Sequence, residues 1–343
     1  MTSKERIMST FNRKEIDRNA FWIGMPHKDT NAIYFPHFGV DNKIDLSAKL
    51  GCDMYAIPIV GNAWKHPDGR YLFDLTPWGE RHTLSQDGPF AECEDLSDVS
   101  KFPWPDPEYL DFSEAIRDAK RAREKGMAVF SGLWTMFFHD LCDLFGMENY
   151  FIKMHTDPEI VDAVTERVMH YYIEGNKMCF DAMGNLIDVF FFGNDLGSQL
   201  DLLMSPDCFR RFILPHIQKA VDLAKNRGYK VMMHSCGSIN KIIPMLIDIG
   251  VDALHPIQAK ACGMDADSLS KEYGRDLVFV GGVDTQELLP FGTPDDVRKE
   301  VKRLKTLFGS SLVISPSHEA LLPNVSVENV LAMRDAAIHS LVC

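Results

Sequence analysis

The chain has 343 residues, 45% of them hydrophobic and 25% charged, which is enough for a substantial core. A formal net charge of −13, with no Lys/Arg tract, no P-loop and no Gly-x-Gly-x-x-Gly opening a helix, argues against nucleic acid as a partner. Apolar runs are short and broken by charge, and the start, Met-Thr-Ser-Lys-Glu-Arg, is polar where a signal peptide is apolar. No membrane span is expected, and the chain reads as soluble and cytoplasmic. The eight cysteines, Cys52, Cys93, Cys142, Cys179, Cys208, Cys236, Cys262 and Cys343, are widely scattered, so most should be reduced and buried rather than paired.

In chain order, residues 1–20 read as a polar helix laid before the rest. The first strand candidate is Phe21–Met25 (FWIGM) and the second Met54–Val60 (MYAIPIV). Residues 69–99 then alternate like a β-hairpin, an insertion after the second strand. Ala128–Trp134 (AVFSGLW), Asp188–Asp195 (DVFFFGND), Lys230–Gly237 (KVMMHSCG), Asp252–Gln258 (DALHPIQ), Leu277–Asp284 (LVFVGGVD) and Leu312–Glu319 (LVISPSHE) complete the set. The segments between the last five are mostly amphipathic, and Gly228 and Gly250 stop two of them just before a strand. Eight strands apolar on both faces, alternating with helices, predict a single (β/α)8 TIM barrel over residues 1–343.

Chemistry in such barrels sits where strands end. The polar residues there are Pro26-His27-Lys28, Asn194-Asp195, His234 and Cys236, His255 and Gln258, Asp284, and Ser317-His318-Glu319. On an extended segment positions i and i+2 point the same way, so His234 and Cys236 can reach one ion. Imidazole and thiolate are ordinary zinc donors, and three protein ligands plus an open position make a catalytic site. Taken alone, the pair reads equally well as a core histidine beside an inert cysteine. His318 shifts the balance, because the fifth and eighth strands face one another across a closed barrel. Glu319, Asp195, Gln258 and Asp284 compete for a fourth contact, and Cys262 is a thiol alternative. Met232 and Met233 read as core. Trp22 and Trp134 read as core or pocket wall, and His27 and His255 as lesser candidates for proton transfer.

The stretches SKERIMSTFNRKEIDR, DLFGMENYFIKMHTDPEIV, SPDCFRRFILPHIQKAVDLAK, GGVDTQELLPFGTPDDVRKEVKRL and SPSHEALLPNVSVENVLAM give the chain a resemblance to the uroporphyrinogen decarboxylase superfamily over nearly its whole length. That resemblance implies a (β/α)8 barrel and one of two chemistries. Decarboxylases of the superfamily use no metal and hold a tetrapyrrole with an arginine-rich loop after the first strand. Here that loop reads GMPHKDTNAIYFP, with no arginine between Arg18 and Arg70, leaving eight substrate carboxylates poorly neutralised. The other branch comprises zinc-dependent, corrinoid-linked methyltransferases with His-x-Cys-Gly after the fifth strand and a further ligand, usually cysteine, ending the eighth.

HSCG at His234–Gly237 is similar to the second pattern, while SPSH puts His318 where a cysteine is usual. A His/Cys/His site is less thiolate-rich and more Lewis acidic, which keeps oxygen and nitrogen methyl donors open beside thiols. The resemblance therefore implies Zn2+ held by His234, Cys236 and His318, with Asp195, Gln258 and Asp284 orienting substrate or completing the ion's shell. It implies a methyltransferase moving a methyl group between a small substrate (methyl ether, methylated amine or thiol) and a corrinoid, a cobalamin, on a partner protein. Barrels of this superfamily commonly pair, so it also allows a homodimer. The alternative is a decarboxylase of porphyrin metabolism using Asp284 or His318, and a third reading is a non-catalytic corrinoid- or metal-binding module.

Overall fold

The computed structural model of the chain describes residues 1–75 and 86–339. Its eight strands are β1 (Ala20–Phe21), β2 (Met54–Ile59), β3 (Ala128–Leu133), β4 (Val189–Gly193), β5 (Lys230–His234), β6 (Ala253–Ile257), β7 (Val278–Val283) and β8 (Leu312–Pro316). All paired neighbours are parallel, in the order β1-β8-β7-β6-β5-β4-β3-β2. The two ends of that order meet, because the Asp53 N–H donates to the Phe21 carbonyl at 2.8 Å. The sheet is a (β/α)8 barrel with its helices outside. Every residue of β3, β4, β6, β7 and β8 is buried, as strands covered on both faces require.

One device recurs at the lower end of the barrel. Asp53, Asp188 and Asp252 each stand just before an even-numbered strand, and each carboxylate accepts the N–H of a residue on the preceding strand. Phe21 N, Val129 N and Val231 N donate at 2.9, 2.9 and 2.8 Å. The backbone N–H of each aspartate returns a bond to the same residue's carbonyl, at 2.8, 2.9 and 3.0 Å. Cations neutralise all three: Arg6 and Arg18 on Asp53, Lys4 and Arg123 on Asp188, Lys225 and Lys230 on Asp252. Lys4 and Arg6 both come from the N-terminal helix Ser3–Phe11, which lies across the base with Ile7 and Phe11 fully buried.

The predicted strands run past the observed ones at their upper ends. β5 stops at His234 rather than Gly237, and β8 at Pro316 rather than Glu319. The polar tails exchange ladder bonds for bonds to side chains, and that exchange builds the mouth. The first strand is shorter still: Trp22 N donates to Ile314 O at 3.0 Å, after which Met25 and His27 run alongside Glu319 and Leu321. The hairpin predicted over residues 69–99 is not formed by its described parts. Leu72–Asp74 makes a 3-10 turn, and Leu96–Lys101 makes a helix whose first turn is capped by the Asp95 carboxylate. The centre of that prediction, residues 76–85, lies outside the described residues. No helix among those described is long and apolar enough to cross a membrane, and none of the seven described cysteines is in a disulfide.

Candidate metal centre

β4, β5, β6 and β8 each deliver part of one cluster. His234 ends β5, opposite Gly193 on β4 and His255 on β6. A Cβ at position 193 would lie 2.6 Å from the His234 Cβ and 2.8 Å from the Trp134 indole, so only glycine lets both rings sit beside β4. Beyond His234 the chain is steered by three neighbours. Ser235 N donates to His255 O at 2.9 Å, Cys236 N to Asp195 Oδ1 at 3.0 Å, and Gly237 N to Gln258 Oε1 at 2.6 Å. Gly237 has φ of +85°, and a Cβ there would meet the Gly197 carbonyl oxygen at 2.2 Å. The result sets Cys236 Sγ 3.4 Å from His234 Nε2, as the i, i+2 reading requires.

Two overlapping donor sets share Cys236. Asp195, His234 and Cys236 form one, and Cys236, His318 and Glu319 the other, with donor atoms in each set within 4.8 Å of one another. Tetrahedral zinc with ordinary bond lengths places nitrogen and sulfur ligands roughly 3.5 Å apart. The His234–Cys236 separation of 3.4 Å fits, as does 3.2 Å from His234 Nε2 to Asp195 Oδ1. Glu319 Oε2 lies 4.0 Å from His234 Nε2 and 3.4 Å from His318 Nδ1, yet it is buried with no hydrogen-bond partner among the described residues. A buried carboxylate oxygen that makes no hydrogen bond, facing imidazoles and a thiol, is one that a metal ion would satisfy. The residues fit a divalent metal of zinc's preferences.

The electrostatics agree. Burial disfavours the His234 imidazolium, but Asp195, Cys236 and Glu319 together outweigh it and raise its pKa well above the ordinary value. Burial likewise opposes ionisation of Asp195, but contacts to His139, His234 and the Cys236 N–H hold its carboxyl far below the usual range. His234 and Asp195 thus stabilise each other's charged forms across the site.

The other sequence candidates separate. Gln258 lies at the site but spends its oxygen on Gly237, shaping the His-x-Cys turn. Asp284 does not reach the donor sets: its carboxylate accepts the N–H groups of Gln286, Glu287 and Leu288, pinning the turn after β7. His27 caps the helix Lys28–Phe38, away from the cluster. Cys262 is exposed, and its carbonyl holds Ser238. His139 was not found from sequence. It lies in the helix Phe137–Phe145, six residues past β3, and its Nε2 is 3.7 Å from Asp195 Oδ2. Asn194 secures that helix by accepting from Phe138 N and donating to Thr135 O, both at 2.9 Å. Two cavities adjoin: one of about 360 Å³ at Gln258 and His318, and one of about 770 Å³ walled by Trp64, Tyr71, Phe73, Trp134, Tyr171 and Tyr172.

Residues 85–340 match the family described as Uroporphyrinogen decarboxylase (URO-D). The chain belongs to the URO-D family. Among curated URO-D relatives, a methylated-thiol–coenzyme M methyltransferase of Methanosarcina mazei is 28% identical over 186 residues, 52% of this chain and 46% of that protein. A uroporphyrinogen decarboxylase of Chlorobium phaeobacteroides is 27% identical over 230 residues, 63% of this chain and 61% of that protein. The chain thus aligns with about half to three fifths of the length of these relatives. A solved methyltransferase from Methanosarcina mazei superposes with a TM-score of 0.67 at 18% identity, covering 98% of both chains, which establishes the shared fold.

Proposed function

We propose that this URO-D family protein is a zinc-dependent methyltransferase that moves a methyl group between a small substrate and a corrinoid carried by a partner protein. The observation that carries the reading is the convergence of His234, Cys236, His318 and Glu319, with a buried carboxylate oxygen left for a cation to satisfy. The Cys236 donor set follows the His-x-Cys-Gly pattern of the methyltransferase branch, and a curated relative named for methyl transfer from thiols is consistent with it.

Bound there, zinc would act as a Lewis acid on the substrate heteroatom, making a thiol a better nucleophile or an ether oxygen a better leaving group. The protein's own part is to hold and shape. His234, Cys236 and His318 present donors from two facing strands, and Glu319 supplies the anionic contact. Asp195 fixes the Cys236 backbone and sets its charge beside His234. Gln258 holds the Gly237 turn open. Trp134, 5.7 Å from the His234 ring between centroids, shields the imidazole from water. We take residues 1–343 as one unit, because β1 pairs with β8, and as an intracellular enzyme.

Metal analysis of purified protein tests this: about one zinc per chain is expected, lost in the His234→Ala/Cys236→Ala variant. Methyl transfer to added cob(I)alamin from methylated-thiol or methoxy-aromatic donors, which leave as thiolate or phenolate, should follow zinc content. Turnover of uroporphyrinogen by metal-free protein would replace this reading with the decarboxylase. Zinc binding without methyl transfer would leave a metal-binding module.

A further inference from the structure

His234 presents two ring nitrogens to two different surroundings. Nε2 faces Cys236 Sγ at 3.4 Å and Asp195 Oδ1 at 3.2 Å. Nδ1 meets His255 Nδ1 at 2.9 Å. A neutral imidazole carries one ring proton, so Nε2 has a lone pair for a metal only when Nδ1 holds the hydrogen. Two nitrogens 2.9 Å apart share a single proton. If His234 donates, His255 Nδ1 must accept, and the hydrogen of neutral His255 must then sit on its Nε2.

The surroundings of His255 Nε2 agree with that assignment. The residue is 1% exposed, and this atom has no hydrogen-bond partner among the described residues. Its ring packs against Trp22 and Phe191, with centroids 5.1 and 5.7 Å away. An aromatic ring receives an N–H weakly but offers no donor to a lone pair, so the Nε2–H form is the less costly one to bury. The backbone keeps the two histidines in register: His234 and His255 are ladder partners, and His255 O accepts from Ser235 N at 2.9 Å.

We infer that His255 is a positioning residue: its Nδ1 accepts the His234 Nδ1–H, fixing the tautomer and ring angle that turn His234 Nε2 toward the metal. The inference rests on the zinc reading above. His255, 1% exposed, acts through His234.

The test compares zinc affinity, by competition with a chromophoric chelator, in wild type, His255→Phe and His255→Gln, with folding of each followed by thermal melting. Phenylalanine keeps the ring and removes the acceptor, so zinc should bind about 10- to 100-fold more weakly. Glutamine restores an acceptor oxygen and should recover most of that loss. Equal affinity in a folded phenylalanine variant, or equal loss in both folded variants, overturns the inference while leaving the zinc site intact. Wild type that binds no zinc overturns both. Should the variants not fold, 15N-histidine spectra of zinc-loaded wild type decide: His255 protonated on Nε2 supports the inference, and on Nδ1 refutes it.

Discussion

At the scale of single residues, the His234/Cys236 cluster depends as much on what is missing as on what is present. Gly237 occupies left-handed backbone against the Gly197 carbonyl, so its side chain has nowhere to go. Gly237→Ala is expected to lower stability by about 1–3 kcal/mol in urea unfolding. It should also move Cys236 off its position, seen as faster zinc loss to chelator. The pair His234/Cys236 was legible in sequence because extended chain places i and i+2 together, and it needs no tertiary information. His139 was not legible, since its helical turn carries it back over Asp195, and no local pattern reports that. Asp284 shows the converse: a carboxylate ending a strand looks the same in sequence whether it faces a substrate or, as its bonds to Gln286, Glu287 and Leu288 show, pins the next turn.

Elements show the same division. Most strands could be read because strands buried on both faces, β3, β4, β6, β7 and β8, leave continuous apolar runs, and the partly buried β2 could be read from its apolar sequence. Their upper ends could not, because leaving the ladder depends on partners such as Asp195 and Gln258 on other strands. The region after β2 read as a hairpin from its alternation, yet Asp95 caps a helix there, and capping competes locally with pairing. The β1–β2 seam gives a sharper expectation. Asp53 is fully buried and takes both Arg6 and Arg18 together with the Phe21 N–H. Among the described residues, removing it takes the only carboxylate from Arg18 and leaves Arg6 with Asp17 alone, so Asp53→Ala should cost about 3–5 kcal/mol by urea unfolding.

For the molecule as a whole, acid sensitivity has an identifiable contributor away from the candidate metal centre. His216, on the helix Leu214–Asn226, packs against Phe137 and has a ring nitrogen with no partner among the described residues. Burial, with Lys219 adding to it, pushes its pKa down from 6.5 to about 4. The folded state therefore binds fewer protons than the unfolded state between those two values. Stability falls as pH drops through that window and levels off below it, by up to roughly 3 kcal/mol from this group. His216→Asn should flatten that part of a stability-versus-pH curve measured by thermal melting, without changing zinc content.

The three aspartates beneath the even strands have a further implication. They clamp three of the barrel's four strand pairs at the foot, β1/β2, β3/β4 and β5/β6, whereas the heads of those strands are free to be recut. Donor exchange at the head should then be mechanically cheap. His318→Cys, which swaps an imidazole for a second thiolate, is expected to leave the melting temperature within about 2 °C and to keep zinc bound. If the methyl-transfer proposal holds, the substrate preference should move toward methylated thiols, read from relative rates with methylated-thiol and methoxy-aromatic donors. On such a frame, a lineage can exchange the donors at the barrel mouth without relearning how to fold.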